Sequence, residues 1–151
     1  MTTIVLDDLA ADTGRTIHHE MFHILDFAYP IHFGRDESWH PSHNDVNSRW
    51  SKLNPLGKDA YLEEKDFSYD NPGFVSGYAM SSPKEDRTCT AGMLMMATSD
   101  PELNPEIDEI LKKKVARIKE MYKKASGGAM DQRYFEQIFK MNDLRAQSAQ
   151  E

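Results

Sequence analysis

His19-Glu20-Met21-Phe22-His23 reads H-E-x-x-H, inside a stretch whose spacing predicts a helix. Side chains at i and i+4 lie on one helix face, so the two imidazoles converge. A divalent metal can bridge them, with Glu20 one residue along to hold a water. From about Thr13 to Ala28 the positions Ile17, Met21, Ile24, Leu25 and Ala28 fit a 3.6-residue period, and Tyr29-Pro30 is expected to end the helix.

A hydrolytic zinc site needs a third protein ligand and a position left for water. A third histidine six residues after His23 would give one well-known spacing, but Tyr29 stands there. His32, His40 and His43 have the right chemistry, and so does Glu85 at the start of a later helix. Ser82-Pro83-Lys84-Glu85 is a strong helix start, with Ser at the N-cap, Pro at N1 and Glu at N3. A capping box alone would also account for Glu85. That helix is predicted to reach about Thr98, with Met93-Leu94-Met95-Met96 in the core. Two more are predicted over 104–125 and 130–146. The first carries Ile107, Ile110, Leu111, Val115, Ile118 and Tyr122 on one stripe.

Residues 30–76 show no sustained period but carry Trp39, Trp50, Tyr61, Phe67, Tyr69 and Phe74. So many aromatics predict a loop packed on the body, functional or with short elements of its own. Ile4-Val5-Leu6 is a candidate strand, with Asp7, Asp8 and Asp12 as candidate caps. The fold class is thus mainly α, α+β at most. A pair of active-site helices, a long irregular connection and two C-terminal helices accompany a small or vestigial sheet. A single domain over 1–146 is expected, with a frayed tail over 147–151.

The net charge of −7 argues against nucleic acid as a partner. The basic run Lys112-Lys113-Lys114 with Arg117 and Lys119 reads as a solvated helix face beside Glu109 and Glu120. No run of apolar residues is long enough to span a membrane, and the first residues do not read as a signal peptide. Localisation and oligomeric state are open. With Cys89 as its one cysteine, the chain can form no internal disulfide.

The H-E-x-x-H with Asp26 three residues on resembles the active-site helix of the gluzincin peptidases, whose third ligand is a glutamate. Gly77-Tyr78-Ala79-Met80-Ser81-Ser82-Pro83-Lys84-Glu85 is similar to the second motif of the anthrax lethal factor branch, where a tyrosine precedes the ligand glutamate by seven residues. Trp50-Ser51-Lys52-Leu53-Asn54-Pro55, Gly73-Phe74-Val75-Ser76 and Glu85-Asp86-Arg87 look like bacterial zinc peptidases of this type. The likeness spans about residues 13–97.

The resemblance implies Zn2+ held by His19, His23 and Glu85, with a peptide or protein as substrate. It implies that Glu20 is the general base, that Tyr78 is an oxyanion donor and that Asp26 supports a ligand from behind. The implied activity is that of a zinc metalloendopeptidase. An alternative for Tyr78 is an aromatic that packs a loop, and Asp86 reads as a helix-dipole partner. Four residues after Glu85 the family usually has an acid, and here Cys89 stands there. That departure implies a weakened relative, or a zinc-binding module that no longer cleaves. The family also places a sheet ahead of the H-E-x-x-H helix. Few residues precede Thr13, so either the domain is minimal or an upstream portion is missing; if the sheet is absent, the segment 30–76 is expected to serve as the substrate wall.

Overall fold

The computed structural model describes residues 13–33, 43–61 and 71–150. The candidate strand at Ile4-Val5-Leu6, the caps Asp7, Asp8 and Asp12, and Trp39, His40, Phe67 and Tyr69 lie outside the described residues, as do the side chains of His32 and His43. Among the described residues there is no strand, and the protein is mainly α. In order come α1 (Thr13–Phe33), α2 (His43–Ser51), α3 (Pro83–Met96), α4 (Glu109–Ala125) and α5 (Gln132–Ser148). Two single 3-10 turns, Gly57–Ala60 and Tyr78–Ser81, lie between α2 and α3. The irregular segment therefore carries short elements of its own. None of the described helices is long and apolar enough to cross a membrane.

Helix α3 starts where its capping signal puts it. The Ser82 side chain accepts from the Glu85 N–H at 3.2 Å, and Pro83 opens the helix. Helix α4 starts later than its apolar stripe suggests. Asp108 accepts from the Ile110 and Leu111 N–H groups, both at 2.9 Å, and this cap leaves Ile107 outside. Asp131 caps α5 in the same way.

Helix α1 does not end at Pro30 but continues to Phe33. A proline costs one N–H and crowds the preceding turn. Here that turn is held by burial of Phe22, Asp26 and Tyr29, each 2% exposed or less. The buried face of α1 is also not the one expected. Met21 and Ile24 are 53% and 45% exposed, because the helix turns its Phe22–Asp26–Tyr29 side inward.

Helix α1 packs chiefly on α3. The two come unusually close at Gly92, where a Cβ would lie 3.0 Å from the Arg15 carbonyl oxygen. Around this pair, Val46 and Trp50 of α2, Val115, Ile118 and Met121 of α4, and Phe135 and Phe139 of α5 complete one core with Phe22, Tyr29, Ala91, Leu94 and Met95. Of the methionine cluster, Leu94 and Met95 are buried, while Met96 is 40% exposed.

The interior also contains charges. Arg87 of α3 is 1% exposed and grips Asp26 of α1 with two hydrogen bonds of 2.7 Å, one to each carboxylate oxygen. Its Nη2 also donates to Asn47 Oδ1 of α2 at 2.9 Å. The basic run of α4 is not the uniformly solvated face its sequence suggests. Lys112 and Arg117 do pair with Glu109 and Glu120 on the surface. Lys114, however, is fully buried against Asp86, and Lys119 is 8% exposed between Asp100 and Glu102. Among the described residues, both buried ammonium groups have a carboxylate, as the cost of burying a bare charge requires.

Removing one partner of a buried pair strands the other. Arg87→Met is therefore expected to lower unfolding free energy by about 3–5 kcal/mol, and Arg87→Met with Asp26→Asn to recover much of it. Urea titrations of the two variants and the parent check this.

Candidate metal centre

The packing of α1 on α3 brings His19 and His23 to Glu85. The Nε2 atoms of His19 and His23 lie 3.2 and 3.4 Å from Glu85 Oε2. The imidazoles meet edge to face, with centroids 4.8 Å apart. Among the described residues these three form the group with metal-ligating atoms all within 4.8 Å of one another. In a tetrahedral zinc site with bonds of about 2.0–2.2 Å, a nitrogen and an oxygen ligand sit roughly 3.3 Å apart. The two N···O distances match that edge. Glu85 Oε2 is also buried without an aligned hydrogen bond, although both imidazoles are at ion-pair distance. A buried carboxylate oxygen facing two nitrogens with no directed donor is the donor set a divalent cation satisfies. The residues present therefore fit zinc.

The electrostatics agree. Burial works to raise the Glu85 carboxyl, but the two imidazoles beside it win and hold it well below the usual carboxylate range. Burial works to lower the His19 imidazole, but its contacts with Cys89 and Glu85 outweigh this and raise it to about 9. Without metal, the cluster is an ion pair.

Tyr78 sits at the rim in the 3-10 turn just before α3, 41% exposed. Its ring lies 6.1 Å from that of His19, tilted by 48°. Burial, then the charge of Glu85 and a hydrogen bond to it, raise the phenol, with Glu20 contributing charge as well. The group is thus a protonated donor at neutral pH. Glu20 and Glu85 are both close enough to act on it.

Cys89 lies behind His19, one turn after Glu85 and 5% exposed. Its Sγ is 3.6 Å from His19 Nδ1, the nitrogen facing away from Glu85. For Nε2 to offer its lone pair to a metal, Nδ1 must carry the proton and the sulfur must accept it. Asp26 has both oxygens taken by Arg87, so in this structure it fixes the spacing of α1 and α3. His23 Nδ1 is buried with no hydrogen-bond partner among the described residues.

Three contributors were not singled out from sequence as part of this centre. Thr88 Oγ1 lies 3.3 Å from His19 Nε2, and i+3 spacing from Glu85 was the available signal. Arg87 positions α1, but its partner is 61 residues away and no local pattern announces it. Asp86 lies in the first turn of α3, as a helix-dipole partner would, but its contacts go further. It is fully buried, and its Oδ2 accepts from Trp50 Nε1, Tyr61 Oη and Lys114 Nζ at 2.8, 2.7 and 2.7 Å.

Residues 3–143 match the family described as "Putative zinc-binding metallo-peptidase". The chain belongs to that family. The match takes in α1 through most of α5, so the whole helical body is that of a family member and not only the H-E-x-x-H helix. The family description assigns zinc and peptide-bond chemistry in general terms, in keeping with the His-His-Glu cluster. Searches of curated proteins and of solved structures gave no match.

The ion pair sets the pH response of the metal-free protein. His19 moves from an ordinary 6.5 up to about 9, so its contribution is complete below 6.5 and is lost as pH rises through 9. Glu85 is shifted down from 4.5, so its contribution is complete above that value and is lost as the solution is acidified. With chelator present, the urea midpoint should fall between pH 6.5 and 9. Saturating zinc should abolish that fall.

Proposed function

We propose that the protein is a zinc-dependent endopeptidase of the gluzincin type, with His19, His23 and Glu85 as metal ligands. The observation that carries this reading is one buried carboxylate oxygen within 3.4 Å of both H-E-x-x-H nitrogens, delivered from a separate helix. Zinc bound there would supply a Lewis acid that lowers the pKa of water toward about 7 and polarises the scissile carbonyl. Glu20 takes a proton from the attacking water and passes it to the leaving amine. Tyr78 donates its phenol O–H to the oxygen on which negative charge develops. The raised phenol supports this role, because the proton stays in place across neutral pH. Likeness to the anthrax lethal factor branch rests on the seven-residue step from Tyr78 to Glu85. A peptide or protein is the substrate, with part of 30–76 as the wall beside it.

Glu20→Gln should leave zinc content unchanged by elemental analysis. It should also lower cleavage of a mixed peptide library by about 10²–10⁴-fold. Unaltered cleavage by that variant would remove Glu20 as base.

Cys89 favours a second reading. A thiol behind His19 is a weaker acceptor than a carboxylate, so the chain can be a zinc-binding relative whose hydrolysis has faded. Loss of such a supporting group typically costs about 10–100-fold. Cys89→Glu should then raise cleavage by a factor in that range. Zinc retention with no cleavage by either form would select a binding or structural module.

A further inference from the structure

We propose that Lys114 is a positioning residue, tying the segment that carries Tyr78 to the helix turn that carries Glu85; this rests on the peptidase reading above. The Lys114 side chain is fully buried on α4 and belongs to no part of the metal cluster. Its ammonium donates to two acceptors, Gly73 O at 2.5 Å and Asp86 Oδ2 at 2.7 Å. It also lies 4.0 Å from the centroid of the Phe74 ring. Gly73 and Phe74 belong to the segment leading into Tyr78, and Asp86 is the residue after Glu85. All three contacts therefore fall on the two stretches that deliver these site residues.

Helix α4 grips Gly73 at both polar backbone groups. Lys114 takes the carbonyl, and the Gly73 N–H donates to Asp108 Oδ2 at 2.9 Å. Gly73 has φ +89, and a Cβ there would lie 2.6 Å from Ile110 Cγ2, so this segment sits directly on α4. From Gly73 the constraint passes on by packing. Phe74 shares a small buried cluster with Cys89 and with Ala79 and Met80, the two residues that follow Tyr78. The Ala79 and Met80 N–H groups close the turn onto Ser76 O and Gly77 O, both at 3.1 Å. A shift at Gly73 has little room to be absorbed before it reaches Tyr78.

Stability alone accounts poorly for this lysine. A buried ion pair is often no more stabilising than apolar residues of the same size, and its better attested use is to fix one arrangement among several. Lys119, five residues on, is the internal comparison. It is buried in an equally ionic setting, but with Asp100, Glu102 and Gln132, none of which leads to the metal centre.

The test uses the zinc-loaded full chain. Lys114→Met alone strands Asp86 and risks unfolding, so the working variant is Lys114→Met with Asp86→Asn, which removes both charges and the tie to Gly73. Zinc content should be unchanged. Hydrogen exchange at Ala79 and Met80 should accelerate at least tenfold, whereas Lys119→Met should leave those amides within about twofold, since only the first variant opens them locally. In peptide cleavage, the paired variant should lose about 10²-fold in kcat with KM within about threefold. Adding Tyr78→Phe should then cost little more, although Tyr78→Phe in the parent costs about 10²-fold. Additive losses, or equal exchange at Ala79 and Met80 in the paired variant and the parent, would overturn the proposal. No cleavage by the parent would remove the peptidase reading, and the exchange arm would still decide the tie.

Discussion

The fork between Arg87 and Asp26 is the contact on which the rest of the molecule depends. It joins α1 to α3 through two short parallel hydrogen bonds in the buried interior, where a bidentate charged pair is both strong and geometrically demanding. Asp26 is three residues beyond His23, and Arg87 two beyond Glu85. The pair therefore sets the rotation and height of the histidine-bearing helix against the one that carries Glu85. Gly92 sets how closely they approach. A slip of α1 by one turn would leave a carboxylate and a guanidinium facing carbon, which makes alternative packings costly. The metal cluster inherits its geometry from this lock.

A second ionic centre acts on the other side of α3. Asp86 collects donors from α2, from Tyr61 and from α4, so consecutive residues of α3 serve different purposes. Glu85 faces the histidines, Asp86 faces the interior, Arg87 faces α1, and Thr88 and Cys89 close around His19. One and a half turns of helix thus carry the carboxylate of the His-His-Glu cluster, the residues packed around His19 and the contacts that hold the neighbouring elements. The 100° step between successive residues makes this division possible.

Local signals in the sequence were enough for the helical class, for the convergence of His19 with His23, and for the start of α3 at Ser82-Pro83. Each depends on residues within a turn or two of one another. Glu85 was legible only as one of several candidates, because a capping box explains the same residue; in the structure Ser82 caps the Glu85 N–H while the Glu85 carboxylate turns to the histidines. What local pattern could not show was the interior charge. Lys114 looks like any lysine in a basic run until the acid 28 residues earlier is brought against it. The end of α1 was misplaced for a related reason. Pro30 is a local stop signal, but burial of Tyr29 and Asp26 carries the helix past it. The outward Met21 and Ile24 show that an apolar period gives a helix without deciding which side turns inward when an ion pair competes for it.

The paired His19 and Glu85 have one more consequence. A site that rests as an ion pair holds a proton that an arriving cation must expel, because a nitrogen cannot keep both. Loading is then an exchange in which the buffer takes up what the imidazole releases. The heat of uptake should therefore vary with the ionisation enthalpy of the buffer, and the slope would count the protons released.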